Sequence, residues 1–529
     1  MLLAAITLGC LLPFLGKPIH IDDPLFIWTA QHLQSHPLDF YGFTVDWGLG
    51  PAAMSGQMQN PPLAAYYLAL VGRFLGWSEA ALHFGCLAPA LAFIAGVFFL
   101  GRRFCARPLA ASLAAVAAPV FLLSATSLMC DTMMMALWVW SLHFWLEGLE
   151  QKKPGRLAVA ALLMACCSLT KYFGACLILL LLVYTLQRER RAGYWIFFLC
   201  FPVSVLAGYQ WLTNRLYGQG LLMTAAVYAT HLRIEGGLGI KLLETLAFTG
   251  GCLLVPLLAA PLLWRTRGML IMLAGAATVA LGILLMKKVG ITVVVGPSRI
   301  KWLLVLQLAL FTTGGSVLLV LAALEVWRER TPEAVLLFLW VAGTFLFVAV
   351  VNWTVSGRNI LPMLPAACFI LMRRFERESE KAGRLLWPIG ISLTVALWAA
   401  QGDWQLANSA REAARLIHRQ WGSTPAPIYF EGHWGFQYYM EQLGAKPLIL
   451  DPLRLPPRGV IVMPVNNTCW VDLPARQIEP LAEVTVPAAE GITLMNNSIG
   501  AGYYSDDWGP APFVFGPTQP ERYSIVKVK

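Results

Sequence analysis

The sequence predicts a polytopic α-helical membrane protein with a small α/β domain at its C-terminus. Three observations carry this prediction: 58% of the 529 residues are hydrophobic, only 13% are charged, and long apolar stretches recur up to about residue 402. Soluble proteins are usually about one quarter charged, and no compact core could bury this much apolar surface beneath an exterior that water wets. Soluble enzymes, disordered chains and fibrous proteins are therefore excluded as classes.

Thirteen stretches are predicted to span the membrane, since a span needs about 20 apolar residues. The first stretch is short. It lacks a basic leader and a small-residue cleavage site, so we interpret it as an anchor and not as a removed signal peptide. The thirteen stretches are residues 2–16, 80–100, 108–124, 132–148, 156–170, 172–187, 194–212, 242–264, 269–286, 303–325, 333–351, 359–373 and 386–402.

The basic residues then give the orientation. With the N-terminus in the cytoplasm, 18 Lys and Arg residues fall in six short loops on one side: residues 102–107, 152–156, 188–191, 265–267, 328–330 and 373–384. Cytoplasmic loops of membrane proteins are enriched in Lys and Arg. The net charge of +10 is thus explained by topology, and nucleic acid is not expected as a partner. We predict a multi-pass plasma-membrane protein.

One apolar stretch, residues 61–76, is left out of the count because including it would invert every later loop. We interpret it as an interfacial helix on the outer leaflet, with aromatic residues at headgroup depth. The first outer segment is then residues 17–79, which is long and rich in polar and aromatic residues. Long loops of this composition often carry function.

A second change in composition follows residue 402. Residues 404–529 regain charge and proline, and strand-like runs such as PIYFE and GVIVMPVN alternate with helical patterns such as GHWGFQYYMEQLG. This alternation favours a small α/β domain. The predicted organisation is therefore a transmembrane domain of residues 1–403 and an extracytoplasmic domain of residues 404–529. The latter contains a single cysteine, Cys469, and so has no internal disulfide.

Asp22 and Asp23 form an acidic pair directly after the first span. Repulsion between two adjacent carboxylates can raise the pKa of one of them towards a value useful for a general base. The pair could instead bind a divalent cation beside His20, or one member could cap a helix that begins at Pro24. A cap explains one aspartate but not both. If the pair supplies a general base, we expect it to be Asp22, because Asp23 precedes Pro24 and is the better cap.

Several motifs together resemble the GT-C glycosyltransferases, and within them glycosyltransferase family 39, which includes protein O-mannosyltransferases and aminoarabinose transferases. The acidic pair is followed by an NPPL element that begins at Asn60, then by Asp131 in the second outer loop. LTK, ending at Lys171, and SGRNILPMLP, containing Arg358, lie at later outer helix ends. An outer α/β domain also fits the aminoarabinose transferases.

The resemblance implies that a sugar is transferred from a polyprenyl-phosphate carrier to an acceptor on the outer side, with inversion at the anomeric carbon. It implies that one aspartate of the Asp22–Asp23 pair deprotonates the acceptor, and Asn60 joins the substrate-binding candidates. The sequence departs from the aminoarabinose transferases at Gln59–Asn60, where those enzymes carry an acidic–basic pair. Their metal and phosphate contacts at that point therefore do not carry over. No cofactor is assigned, with a divalent metal ion left open.

The leaving group of such a reaction is a lipid phosphate, so cations should line the donor site. The outer candidates are Lys171, Arg299, Lys301 and Arg358, and the alternative for Lys171 and Arg358 is a side chain that snorkels at a helix end. Asp131 is either a second acidic group or a helix cap. His433 and Trp434 are interpreted as packing residues of the outer domain.

The expected partners are therefore a polyprenyl-phosphate sugar, a cell-envelope glycan, lipid or protein acceptor, and the bilayer. The main alternative is a secondary transporter, which would place ionisable residues at the membrane midplane on broken helices. The predicted spans are almost free of charge, and the acidic residues lie in outer loops, so an enzyme is favoured. A non-enzymatic envelope scaffold would leave the acidic pair and the outer cations unexplained.

Overall fold

The computed structural model describes residues 1–230, 237–264, 266–295, 299–378, 382–424, 426–453, 455–468 and 471–529. Bundled helices make up most of the chain, and a mixed sheet lies near one end of the bundle. The ten cysteines of the described part form no disulfide.

The first element is α1 (Leu2–Leu11), which continues as one 3₁₀ turn to Phe14. The segment after it is structured throughout, because short elements pack on the bundle. It contains α2 (Asp23–Leu33), the hairpin of β1 (Thr44–Asp46) and β2 (Pro51–Ala53), α3 (Met54–Gln57) and α4 (Leu63–Leu75). The α4 helix is about 20 Å long and cannot cross a hydrocarbon core of about 30 Å by itself.

The central part of the chain is helical except for two small hairpins after α15. Its elements are α5 (Glu79–Phe104), α6 (Pro108–Val116), α7 (Pro119–Ala125), α8 (Asp131–Glu150), α9 (Pro154–Thr170), α10 (Cys176–Glu189), α11 (Trp195–Tyr217), α12 (Leu221–Thr230), α13 (Leu238–Cys252), α14 (Leu254–Leu263), α15 (Thr266–Met286), β3 (Lys288–Val289), β4 (Ile291–Thr292), β5 (Val294–Val295), β6 (Arg299–Ile300), α16 (Trp302–Glu329), α17 (Pro332–Leu346), α18 (Gly357–Ile360), α19 (Leu364–Glu378) and α20 (Leu386–Trp421).

The expected count of thirteen spans is not confirmed. Each predicted stretch overlaps a helix or a bent helix pair, but within the described ranges seven helices are long and apolar enough to cross a membrane. The number rises to nine if the pairs α6–α7, bent by 64°, and α13–α14, bent by 79°, each form one span. The other four stretches correspond to α1, α8, α9 and α19. Three of these helices are short, and α8 carries acidic residues at both ends.

A five-stranded mixed sheet follows α20. The chain continues through β7 (Ile428–Phe430), α21 (Trp434–Gln442), β8 (Lys446–Pro447), β9 (Val460–Pro464), β10 (Ile478–Val486), β11 (Ile492–Thr493), β12 (Met495–Asn496), β13 (Ala501–Gly502), β14 (Val514–Phe515) and β15 (Glu521–Val528). The strand order is β10-β15-β9-β7-β8. β7 is parallel to both of its neighbours, and β15 is antiparallel to both of its own. The α21 helix forms the crossover between β7 and β8.

The predicted boundary at residues 403 and 404 lies inside a continuous helix, since α20 runs from Leu386 to Trp421. Residues between the two long strands β10 and β15 also pack with the bundle: Ile492, Tyr503 and Phe513 belong to the same buried apolar cluster as the membrane helices. The physical reason is that this part of the C-terminal region is itself apolar. An independent domain of residues 404–529 stays a prediction.

The loops that the charge pattern places on one side contact one another. Arg188 lies 3.4 Å from both Glu150 and Glu333, and Arg103 also pairs with Glu150. On the same side, Glu325 accepts from Arg373 at 2.7 Å and from Arg377 at 2.9 Å. The alternation of sides is thus matched by contacts, while which side faces the cytoplasm stays a prediction.

Candidate functional site

A cavity of about 460 Å³ lies at the opposite end of the bundle from these ion pairs. Segments that are distant along the chain supply its wall, because the N-termini of α2, α8 and α18 and the C-terminus of α9 converge there. Its polar lining includes Asp22, Asn60, Asp131, Lys171, Arg358 and Tyr504. Five of these six residues are candidates predicted from the sequence.

Asp22 immediately precedes α2, and Pro24 fits the first turn of that helix, where no backbone N–H is needed. One oxygen of Asp22 lies 3.1 Å from the guanidinium of Arg358. The carboxylate keeps 32% of its surface exposed to the cavity, so a ligand can reach it. The pair joins the first outer segment to a loop 336 positions later in the sequence.

Asp23 faces a different environment. Its side chain is fully buried and accepts hydrogen bonds from the backbone N–H of Leu128 at 2.9 Å, from Ser127 Oγ at 3.1 Å and from the N–H of His20 at 3.2 Å. Burial raises the pKa of Asp23 to about 6. The expected repulsion by Asp22 is therefore not the cause of the raised value.

The expected capping role of Asp23 is also corrected. Asp22 holds the N-cap position of α2, Asp23 is the first helical residue, and neither side chain caps the helix. Instead, Asp23 ties the start of α2 to the turn that precedes α8. A buried carboxylate is retained where several donors satisfy it, and this turn supplies two of the three.

Asp131 and Lys171 form a second acid–base pair in the cavity. Lys171 Nζ lies 2.6 Å from Asp131 and 3.2 Å from the side-chain oxygen of Asn359. The Asp131 side chain is only 2% exposed. The capping alternative does not describe this residue, because α8 begins at Asp131 itself and its N-cap is Cys130. Lys171 is the C-cap residue of α9. Its side chain points towards these polar groups and not simply towards a membrane surface.

Arg358 lies in the short helix α18, between the end of α17 and the apolar helix α19. Its guanidinium contacts Asp22 and Met129 Sδ, and its Cζ atom lies 5.8 Å from the ring centre of Tyr504, a cation–π distance. The side chain is 19% exposed, and that exposed part faces the cavity. Arg358 is therefore held on three sides in a position where an anionic ligand can reach it.

Asn60 borders the cavity on the side of the first outer segment. Its backbone carbonyl accepts a 2.7 Å hydrogen bond from the Tyr41 hydroxyl, and its side-chain oxygen lies 3.6 Å from Cys130 Sγ. Pro61 and Pro62 directly after it restrict the backbone, so the side chain is presented by a stiff segment. Asn60 is a neutral lining residue beside the two charged pairs.

The remaining predicted cations, Arg299 and Lys301, are not both described by the structure. The side chain of Arg299 lies outside the described part, and only its backbone pairing with Val295 in the β5–β6 hairpin is defined. Lys301 follows that hairpin, and its backbone N–H donates to Val293 at 2.9 Å. Lys301 is not among the described residues that line the cavity.

Sequence reasoning missed Tyr504 and the buried network behind it. The Tyr504 hydroxyl donates to Asp403 at 2.8 Å, and Asp403 also pairs with Lys17, both of these charged side chains being fully buried. His20 lies 3.5 Å from the same carboxylate. Lys17 next to the first span and Asp403 in an apolar stretch were visible signals, but nothing local in the sequence joins them.

The described side chains of the cavity do not form a ligand set that fits a resident metal ion. Within the described ranges, no group of three or more His, Cys, Asp or Glu side chains is arranged to hold one. Asp22 and Asp131 each already face a cationic side chain, which compensates their charge.

Comparison with a protein-family model gives a match over residues 59–207. The model is described as dolichyl-phosphate-mannose-protein mannosyltransferase. The matched segment contains Asn60, Asp131 and Lys171 of the cavity, whereas Asp22 and Arg358 lie outside it. The comparison with curated proteins gives no match.

Solved structures similar to the chain include ArnT from Cupriavidus metallidurans. The apo form is 17% identical, covers 87% of this chain and 92% of that one, and gives a TM-score of 0.46. The form bound to undecaprenyl phosphate is 16% identical, covers 88% and 92%, and gives 0.45. The Archaeoglobus fulgidus oligosaccharyltransferase is 11% identical, covers 84% of this chain and 63% of its own length, and gives 0.45.

The predicted resemblance is confirmed over residues 59–207, where the matching family model is one of mannosyltransferases.

Proposed function

We propose that the chain is an integral-membrane glycosyltransferase that moves a sugar from a polyprenyl-phosphate carrier to a cell-envelope acceptor, with inversion. The supporting observation is the meeting of Asp22 and Arg358 at 3.1 Å in the wall of an accessible cavity. A carboxylate for the acceptor and a guanidinium for the leaving phosphate are the two groups that this chemistry needs. The family match over residues 59–207 supports the same class of donor.

In the proposed reaction, the acceptor hydroxyl oxygen attacks the anomeric carbon from the face opposite the phosphate. The carbon–oxygen bond to the phosphate breaks, its electron pair leaves with the phosphate, and Asp22 takes the hydroxyl proton. Arg358 and Lys171 stabilise the charge that develops on the phosphate. A phosphate is a good leaving group, so no strong general acid is required.

The Asp22–Arg358 pair also implies that the donor binds before Asp22 acts on the acceptor. A carboxylate paired with a guanidinium is a poor acceptor for the proton of a substrate hydroxyl, because its charge is already compensated. An incoming lipid phosphate offers Arg358 a second anionic partner, which competes with Asp22 for bidentate hydrogen bonds. Donor binding would thus release Asp22 to act on the acceptor.

The proposed orientation places the cavity and the C-terminal region outside the cell. Several of the six basic loops support it, because their described side chains meet at the opposite end of the bundle. Membrane-impermeant thiol labelling, in a background without reactive cysteines, should modify Gln519→Cys and leave Lys153→Cys unmodified in intact cells. Both positions are exposed. Labelling of Lys153→Cys from outside would contradict the proposed topology.

Transfer itself is tested with the purified chain in lipid. Polyprenyl phosphate carrying a radiolabelled hexose or pentose is supplied with envelope material from cells that lack the protein. We expect label to appear in an envelope component with the parent chain and not with Asp22→Asn. Label transfer in the absence of the chain, or from a carrier that lacks the phosphate, would contradict the proposal.

A further inference from the structure

A second depression, here called the hairpin cleft, lies beside the cavity between α2, the β1–β2 hairpin and the α21–β8 connection. Its volume is about 460 Å³, and its lining includes Trp28, Gln31, Phe43, Asp46, Glu441 and Pro447. The two sides are held together, because the backbone N–H groups of Leu450 and Asp451 donate to the carbonyl of Leu49 at 2.8 and 2.9 Å. The cleft is therefore built jointly by the first outer segment and the C-terminal region.

One wall of the hairpin cleft is polar and acidic. Asp46 and Glu441 both face it, and the amide of Gln437 links them by donating to Glu441 Oε1 at 2.8 Å and to the Asp46 carbonyl. No Lys, Arg or His belongs to the described lining. The wall therefore offers fixed acceptors for neutral or cationic donors, and it disfavours an anionic ligand.

The lining of the cleft also includes aromatic residues, which continue towards the cavity. Trp28 is half-buried, packs edge-on against Trp47 at 5.9 Å between ring centres, and lies 6.4 Å from the ring of Tyr438. Trp47 itself lines the cavity that contains Asp22. Trp28 follows Asp22 by six residues on the same helix, about 9 Å along its axis. The two depressions are thus neighbours on one rigid support.

We propose that the hairpin cleft binds a saccharide portion of the acceptor, an inference that rests on the proposed glycosyl transfer. A sugar presents hydroxyl donors on its rim and apolar C–H faces, which match the carboxylates and the indole of the lining. A phosphorylated acceptor would be repelled by Asp46 and Glu441.

The test measures binding to the full-length chain in nanodiscs by saturation-transfer NMR. The probes are mannotriose, chitotriose, a glucosamine trimer and a Ser/Thr-rich nonapeptide. We expect at least one trisaccharide to bind the parent, and its affinity to fall about tenfold in Trp28→Ala and in Glu441→Gln. The matched control is Glu479→Gln, an exposed carboxylate on β10 at the other edge of the five-stranded sheet, which should bind like the parent.

Undecaprenyl phosphate binding is measured on every variant, because the cleft variants leave Arg358 untouched. Intact phosphate binding without any trisaccharide binding would overturn the cleft assignment and leave the proposed function standing. Equal trisaccharide binding by parent and Glu441→Gln, or binding of the peptide alone, would also overturn it. Failure of the parent to bind undecaprenyl phosphate would count against the proposed function instead.

Discussion

The two ends of the helical bundle use the same residue types for different purposes. At one end, Arg188 and Glu150 are 27% and 39% exposed and join an ion-pair network around short loops. At the other end, Asp131 is 2% exposed and pairs with Lys171 in the wall of a cavity. The first network satisfies surface charge and marks topology. The second lies in the wall of a cavity, where in the proposed reaction a ligand displaces one partner.

The largest expected effect concerns Asp22. Asp22→Asn keeps the shape of the side chain and removes its basicity, so sugar transfer should fall by about a hundredfold or more. Transfer rate is measured beside donor affinity on folded protein. The matched variant at the opposite end, Glu150→Gln, should transfer like the parent. Near-parental transfer from Asp22→Asn would erase the proposed difference between the two ends and make Asp131 the next candidate for the base.

Arg358 should show the next largest effect. Arg358→Ala loses a charge-assisted contact to the donor phosphate, so productive use of the donor should weaken by about ten- to a hundredfold. Arg358→Lys should recover only part, since an ammonium cannot reproduce bidentate geometry. Steady-state kinetics against donor concentration measure both. If both variants behaved like the parent, Arg358 would be a snorkelling residue.

Asp23 tests how far the environments of the two neighbouring carboxylates differ. Asp23→Asn should lower the free energy of unfolding by about 1–3 kcal/mol, because a buried acceptor set is disrupted. Its folded pKa of about 6 lies above the ordinary 3.8, so the folded state keeps a proton that the unfolded state releases. This contribution to stability is present at low pH and is lost as the pH rises from about 4 to 6.

The melting temperature of the parent should therefore fall more between pH 4 and pH 7 than that of Asp23→Asn. Thermal unfolding of both proteins in detergent, followed across this range, measures the difference. Parallel curves would mean that Asp23 does not titrate in this window.

The smallest effect is expected at the opposite end of the bundle. Arg188→Ala removes exposed ion pairs, which are worth less than about 1 kcal/mol each. Transfer should stay within about twofold of the parent. Thermal unfolding and a transfer assay check both values. A loss comparable to that of Arg358→Ala would show that the two ends are not functionally distinct.

Sequence reasoning reached the residue types of the cavity but not its assembly. Asp22, Asp131, Lys171 and Arg358 each follow a local signal at a helix end, so they could be selected without coordinates. Their roles stay predictions. Tyr504 could not be selected, because its place depends on how the segment after β10 folds back onto α20 and the start of the chain.

The same limit applies to the fold. Apolar stretches located the helices, since hydropathy is a local property, but the number of spans depends on bends that packing decides. Pro119 signals the α6–α7 break, and Gly250, Gly251 and Pro256 flank the 79° bend at Leu253. These residues mark where a bend can occur, but not its angle. The opposite environments of Asp22 and Asp23 likewise arise from the tertiary contacts of Ser127, Leu128 and Arg358.

Undecaprenyl phosphate affinity is the direct test of the proposed exchange of partners at Arg358. Affinity is measured for the parent, Asp22→Asn and Arg358→Ala in the same lipid. Removing the Asp22 charge frees Arg358 from its competing anion, so Asp22→Asn should bind as tightly as the parent or more tightly. Arg358→Ala should bind about tenfold more weakly or worse. Weakened binding by Asp22→Asn to the level of Arg358→Ala, or unchanged binding by Arg358→Ala, would contradict the account.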